Sequence, residues 1–223
     1  MKIVAINGSP HGAKGTTGLM LSEAIKSAQA AGAKVTTLVV SDYQVNPCRA
    51  CDVCHRTGDC TIKDDFHRFK EALLAADGII LASPNYLSSV SAQLKAVMDR
   101  CCGLLHCQAL RGKYAVAIVT SGGGGQEQVQ DYILGFLGNM GSWTVGGAGA
   151  TAATLADPAT RPPALQAAAK LGADLVRAIS SGTTYPQQQA QQSAFAQRMK
   201  QLVSARSDEW TYEADYWQSR GQL

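Results

Sequence analysis

Lys2-Ile3-Val4-Ala5-Ile6-Asn7-Gly8-Ser9-Pro10-His11-Gly12-Ala13-Lys14-Gly15-Thr16-Thr17-Gly18 is the stretch that decides the fold. It opens on a β-branched, apolar run too short for a helix, passes through a loop rich in glycine and hydroxyls, and then enters helical spacing. Working outward, similar short runs recur at Lys34–Val40, Gly78–Ser83, Lys113–Thr120 and Trp143–Ala148. Apolar residues at helical spacing fill the intervals: Leu21, Ile25 and Ala28; Phe66, Phe69 and Leu73; Leu94, Val97, Met98 and Cys101; Val129, Ile133, Phe136 and Leu137. Continuous apolar strands alternating with helices predict an α/β fold, a doubly wound five-stranded parallel sheet covered on both faces.

A last helix near Pro162–Ile179, stopped by Ser180-Ser181-Gly182, closes this unit, so the reading divides the chain into an α/β domain over residues 1–182 and a tail over 183–223. The tail carries a Gln-rich stretch from Gln187 to Gln192 and then Trp210, Tyr212, Tyr216 and Trp217. It is too small for a core of its own, and its aromatics predict helical docking onto the domain or onto another subunit. With 223 residues, 46% hydrophobic and 17% charged, the composition excludes general disorder and a disulfide miniprotein. A formal charge of +3 gives no nucleic-acid footprint and no polybasic membrane anchor. No secretory or transmembrane run precedes Asn7, so a cytoplasmic, reducing setting and a small-molecule or protein partner are expected.

In a parallel sheet the loop after the first strand sits at the N-terminus of the first helix, where free N–H groups and the helix dipole attract an anion. Ser9, Thr16 and Thr17 add hydroxyl donors, with His11 and Gly15 beside them. A P-loop would need Ser or Thr after Lys14, where Gly15 stands, and the dinucleotide spacing Gly-x-Gly-x-x-Gly is missing after the strand. That leaves a hydroxyl-rich phosphate cradle of the kind used for flavin mononucleotide, or an ordinary glycine turn with a threonine cap. Two further loops share the same sheet edge. Pro84-Asn85-Tyr86-Leu87 offers a rigid, partly aromatic surface for a planar ring, and Ser121-Gly122-Gly123 lets backbone amides approach closely.

Together, Gly8-Ser9-Pro10 with Gly15-Thr16-Thr17, and Ser83-Pro84-Asn85-Tyr86 leading into Ser91-Ala92-Gln93-Leu94-Lys95-Ala96-Val97-Met98-Asp99-Arg100, resemble the NAD(P)H-dependent FMN reductases of the flavodoxin-like fold. The resemblance covers about the first 150 to 180 residues and implies strand order 2-1-3-4-5. It further implies FMN held by Ser9, His11, Gly15, Thr16, Thr17, Pro84, Asn85, Tyr86, Leu87, Ser121, Gly122 and Gly123, with the flavin N5 as reactive centre and NAD(P)H as a donor. Thr16 stands where such proteins more usually have Asn, and the loop is one residue longer.

Four of the seven cysteines fall within thirteen residues, as Cys48-x2-Cys51-x2-Cys54-x5-Cys60 in a loop over residues 46–63. Compact four-thiol spacing suits a [4Fe–4S] cluster, whereas structural zinc more often uses two separated knuckles. Zinc, or unmetallated thiols, are the other readings. The motif's position after the second strand, with Asp64-Asp65 and Tyr216-Trp217…Gly221, resembles the iron–sulfur flavoproteins. That resemblance implies an electron-transfer role between cluster, FMN and a small-molecule or ferredoxin-type partner, in a homodimer or homotetramer where a cluster lies near a neighbour's flavin. A reductase without a cluster and a non-catalytic metal or thiol sensor are the rival functions. Cys101 reads as a core residue and Cys102 as facing away from it. His55 falls in the cysteine loop, His67 reads as a solvated or core-edge histidine, and His106-Cys107 reads as a surface loop.

Overall fold

The computed structural model describes residues 1–221. Five strands, β1 (Lys2–Asn7), β2 (Lys34–Val39), β3 (Gly78–Pro84), β4 (Tyr114–Ser121) and β5 (Trp143–Thr151), form one parallel sheet in the order β2-β1-β3-β4-β5. The helices are α1 (Thr16–Ala30), α2 (Val53–Thr57), α3 (Phe66–Ala75), α4 (Ala92–Asp99), α5 (Cys102–His106), α6 (Gln126–Asn139), α7 (Ala152–Ala156), α8 (Arg161–Ser181), α9 (Pro186–Ser204) and α10 (Thr211–Gln218). This is the doubly wound parallel sheet expected from the β/α alternation, in the flavodoxin-like strand order that the resemblance implies. Helix α1 begins at Thr16, inside the stretch expected to be loop, because Gly15 is extended and the chain turns helical immediately after it.

Strand side chains alternate between two cores, as the period of two requires. Ile3, Ala5, Ile80, Ala82, Val116 and Ile118 face α1 and α8. Val4, Ile6, Leu81, Ala115, Ala117 and Val119 face Phe66 and Phe69 of α3, Leu94 and Val97 of α4 and Ile133 of α6. The central strands β3 and β4 are buried along their whole length, which explains their unbroken apolar runs.

Helices α1 and α8 touch at Gly172, where an added Cβ would lie 2.1 Å from the Ala24 carbonyl oxygen. Helix propensity alone favours alanine over glycine by about 1 kcal/mol. Gly172→Ala is nevertheless expected to destabilise the chain by about 1–3 kcal/mol through overpacking. Urea denaturation checks this, and an unchanged or stabilised variant would show that the two helices separate freely.

Helices α9 and α10 lie against the α/β unit. Val203, Met199, Ala196, Trp210 and Trp217 form a small third core. The Gln-rich segment has a structural use: the Gln188 side-chain amide accepts from Thr144 N–H and donates to Thr144 C=O, both at 2.8 Å, and Gln192 donates to the Ser142 carbonyl at 2.7 Å. A bulge at Val145 bends β5 at the same point. No helix among the described residues is long and apolar enough to cross a membrane.

Candidate functional site

The three loops expected to meet do so at the carboxyl ends of β1, β3 and β4, which are adjacent in the sheet. Asn7, the last residue of β1, shapes the first loop: its Oδ1 accepts from Ser9 N–H at 2.9 Å and its Nδ2 donates to Gly12 C=O at 3.1 Å. Ser9 and Thr17 are buried, whereas His11 and Thr16 are exposed at the rim. Thr17 and Thr120 share a hydroxyl hydrogen bond of 2.6 Å, fastening the start of α1 to the end of β4. Ser91 caps α4 and donates to Gly8 C=O at 2.6 Å, fastening the first loop to the third strand's loop.

Asn85 ties β3 to the glycine loop, donating its backbone N–H to Thr120 C=O at 2.6 Å and its side-chain amide to Gly124 C=O at 3.0 Å. Its Oδ1 is buried with no partner among the described residues, an acceptor that fits a ligand N–H. Beyond it, Leu87 and Ser88 adopt left-handed backbone with φ of 51° and 62°, and Leu87 is fully exposed. Strain of this kind in a non-glycine pair concentrates at ligand sites. Ser121 accepts from Gly124 N–H at 3.0 Å, and around Gly122 and Gly123 there is open space where a Cβ would point. The edge thus offers a helix N-terminus, hydroxyls, one free acceptor and uncovered backbone, which together suit a phosphorylated planar ring.

The cysteine loop lies between β2 and α3. Cys48, Cys51, Cys54 and Cys60 line one cavity of about 170 Å³ together with Arg100. Left-handed Ala50 and Asp52, and Gly58 closing α2, fold the loop back on itself. Its two ends are knotted by Asp64, which accepts from Asn46 N–H (2.8 Å), Phe66 N–H (3.1 Å) and Arg100 Nη1 (2.6 and 2.7 Å). Both charged side chains are 1% exposed. Burial raises the Asp64 pKa, but the hydrogen bonds from Arg100, Asn46 and Phe66 outweigh it and bring the carboxyl down to about 2. Arg100 Nη2 also donates to Cys60 Sγ at 3.2 Å, and the guanidinium sits 4.4 Å above the Phe66 ring.

A family model described as NADPH-dependent FMN reductase matches residues 1–155. The chain belongs to that family. Within this FMN reductase family its relatives include an iron–sulfur flavoprotein of Methanocaldococcus jannaschii, 40% identical over 139 residues that make up 61% of this chain and 72% of that protein. Another, from Methanosarcina thermophila, is 36% identical over 149 residues, 66% of this chain and 78% of its own length. The reductase therefore falls in the iron–sulfur flavoprotein branch, and it is a flavin-dependent oxidoreductase with FMN as cofactor. An archaeal flavodoxin structure superposes with a TM-score of 0.53 at 15% identity, covering 81% of this chain and 99% of that one, a likeness of fold.

The FMN reductase chain also holds a constellation that sequence reading passed over. His106 and Cys107, expected on a surface loop, are buried, because the tail covers α5. Glu213 of α10, itself 0% exposed, accepts from Nδ1 of His55 at 2.5 Å and from Nδ1 of His106 at 2.9 Å. The two imidazoles are nearly parallel, and both stack on Trp210 with ring centres 4.4 and 5.1 Å away. His106 Nε2 stands 3.6 Å from Cys102 Sγ, one helical turn earlier in α5. Hydrogen bonds from His106 and then His55 lower the Cys102 thiol to about 6. Burial opposes protonation of His106, yet Cys102 and Glu213 raise it to about 9. The i, i+4 spacing of Cys102 and His106 was the readable signal; the third group, Glu213, lies 107 residues from His106. Cys101 is a core residue as expected, and His67 is exposed, bonded to the Asp64 carbonyl.

Proposed function

We propose that this reductase passes electrons between a [4Fe–4S] cluster on Cys48, Cys51, Cys54 and Cys60, its FMN, and an external small-molecule or ferredoxin-type donor or acceptor. The observation that carries the reading is the convergence of all four loop thiols on one cavity, with an Arg100 N–H already directed at the Cys60 sulfur. Hydrogen bonds to ligand sulfurs are among the factors that set a cluster's potential. Bound FMN accepts electrons singly or in pairs, which matches a one-electron cluster to a two-electron partner such as NAD(P)H.

For the flavin, Ser9, Thr16, Thr17 and the first amides of α1, with His11 and Gly15 at the loop, hold the phosphate by hydrogen bonds and the helix dipole. Asn85 Oδ1 accepts from the ring system, while Pro84, Tyr86 and Leu87 on one side and Ser121, Gly122 and Gly123 on the other orient it and exclude water. Helix α4 connects the two centres: Ser91 at its start is bonded to Gly8, and Arg100 at its end to Cys60. Nine steps of about 1.5 Å from Ser91 to Arg100 put these ends about 13.5 Å apart. The exposed Tyr86 and Leu87 at the flavin edge support assembly as a homodimer or homotetramer, which light scattering checks.

Anaerobic purification followed by iron and sulfide analysis tests the cluster. About four of each per chain are expected, with near-complete loss in Cys54→Ser and FMN retained. Stoichiometric zinc without sulfide, or a flavin bleached by NAD(P)H in an iron-free protein, would establish the rival readings instead. Asn85→Ala removes the free acceptor, and a hydrogen bond of about 1.4 kcal/mol predicts roughly tenfold weaker FMN binding. Fluorescence titration of the apoprotein with FMN measures it.

A further inference from the structure

We propose that His55, Cys102 and His106 form a second, mononuclear metal site for a zinc-class divalent ion, beside the four loop thiols and sharing no ligand with them, with Glu213 as the residue that aims both imidazoles.

Among the described residues, these three present ligand atoms that all lie within 4.8 Å of one another. An ionised carboxylate only accepts hydrogen bonds, so each imidazole is protonated at the Nδ1 that faces Glu213. In the neutral ring that leaves Nε2 as a lone pair, and that of His106 faces Cys102 Sγ at 3.6 Å. A carboxylate behind a metal-binding imidazole is the usual device for fixing its tautomer and ring orientation. Here one buried carboxylate serves two rings, and the Trp210 face holds both planes.

The spacing agrees with the chemistry. Zinc bonds of about 2.3 Å to sulfur and 2.0–2.1 Å to nitrogen, at tetrahedral angles, set an S···N edge of about 3.5–3.6 Å. The observed His106 Nε2 to Cys102 Sγ separation is 3.6 Å. Charge agrees as well: a dication with the Cys102 thiolate and the Glu213 carboxylate sums to zero, so the buried acid keeps its compensation when the imidazoles are neutral. Two nitrogens and one thiolate suit a borderline-soft ion. Three protein ligands leave a fourth position, and Asp52 Oδ1, on a largely exposed side chain, stands 3.7 Å from His55 Nε2 beside it.

The three ligands come from α2 and α5 and their carboxylate from α10, so the ion would join the cysteine loop, the α/β unit and the tail at one point. No ligand is shared with the proposed cluster, although His55 and Cys102 border the cavity that the four loop thiols line.

The test uses the whole protein as purified anaerobically, titrated with Co²⁺ and separately with Zn²⁺. Wild type is expected to bind one more Co²⁺ than Cys102→Ser or His106→Gln, with a thiolate-to-cobalt charge-transfer band that both variants lack; the loop cysteines are intact in all three. Glu213→Gln keeps the ligands and is expected to weaken Zn²⁺ binding 10- to 100-fold. In wild type, Zn²⁺ is expected to shield Cys102 from iodoacetamide, read by peptide mass spectrometry, a measurement that needs no variant to fold. Equal cobalt stoichiometry in wild type and Cys102→Ser, or equal Cys102 alkylation with and without Zn²⁺, would overturn the site. Failure of the cluster reading shows instead as missing iron and sulfide, with the cobalt difference between wild type and Cys102→Ser unchanged.

Discussion

Asp64→Ala is expected to cost about 3–5 kcal/mol, because it leaves the Arg100 guanidinium buried without its counter-charge. The loss extends beyond one ion pair. Asp64 also satisfies the backbone of Asn46 and Phe66, so the variant frees both ends of the cysteine loop and the first turn of α3. Iron retention is expected to fall with stability. Replacing the pair together, as Asp64→Leu with Arg100→Met, removes the orphaned charge and is expected to recover much of the loss. Urea denaturation of the single and double variants measures both, and a cost below about 1 kcal/mol for Asp64→Ala would contradict a buried pair. The same pair gives a pH dependence. The Asp64 carboxyl titrates at about 2 in the fold against an ordinary 3.8, so it favours the folded state when ionised. Its contribution is complete above about pH 5 and is lost as the pH falls through 3.8 toward 2. Wild type is therefore expected to lose stability more steeply than Asp64→Ala across that interval.

Trp217→Ala is expected to cost about 3–5 kcal/mol as well, for a different reason: a fully buried indole leaves a large cavity. Trp217 is the centre of the third core, flanked by Arg111 and Lys200 at 5.4 and 5.2 Å from the ring centre. Its indole N–H has no partner among the described residues, so Trp217→Phe forfeits volume but no hydrogen bond seen there and is expected to cost well under half as much. Because Trp217 sits one helical turn after Glu213, loosening α10 also withdraws the carboxylate from His55 and His106. Thermal denaturation together with limited proteolysis around residues 205–210 checks both effects. A near-neutral Trp217→Ala would mean that the tail is not held by this core.

The parts of the fold that could be read in the sequence are those whose signal is local. The five strands announce themselves as short apolar runs, and the loops after β1, β3 and β4 carry their glycines and hydroxyls within a few residues of the strand ends. Boundaries drifted where the pattern faded: β5 runs on through Gly149–Thr151, where small residues give little apolar contrast. Cys102 reads correctly as facing away from Cys101, but its pairing with His106 is hidden by a break between two helices. The helix ends at Asp99 and a new one starts at Cys102, which resets the phase and turns Cys102 toward His106. Glu213 and Gln188 were illegible for another reason. Their partners lie 158 and 44 residues away, and only the path of the tail brings them together.

The amide of Gln188 has a consequence for the edge of the sheet at β5. A strand at the end of a sheet is a template on which a foreign strand can be laid, and natural proteins blunt such templates against runaway aggregation. At Thr144 a side chain already plays the part of the sixth strand, taking both backbone groups that a neighbour would use, and Gln192 covers the Ser142 carbonyl beside them. Pairing of a further strand across Thr144 is blocked, which leaves β2 as the sheet's open edge. The glutamine-rich segment thus covers part of the sheet's β5 edge, and a chain ending before Pro186 would lack that cover.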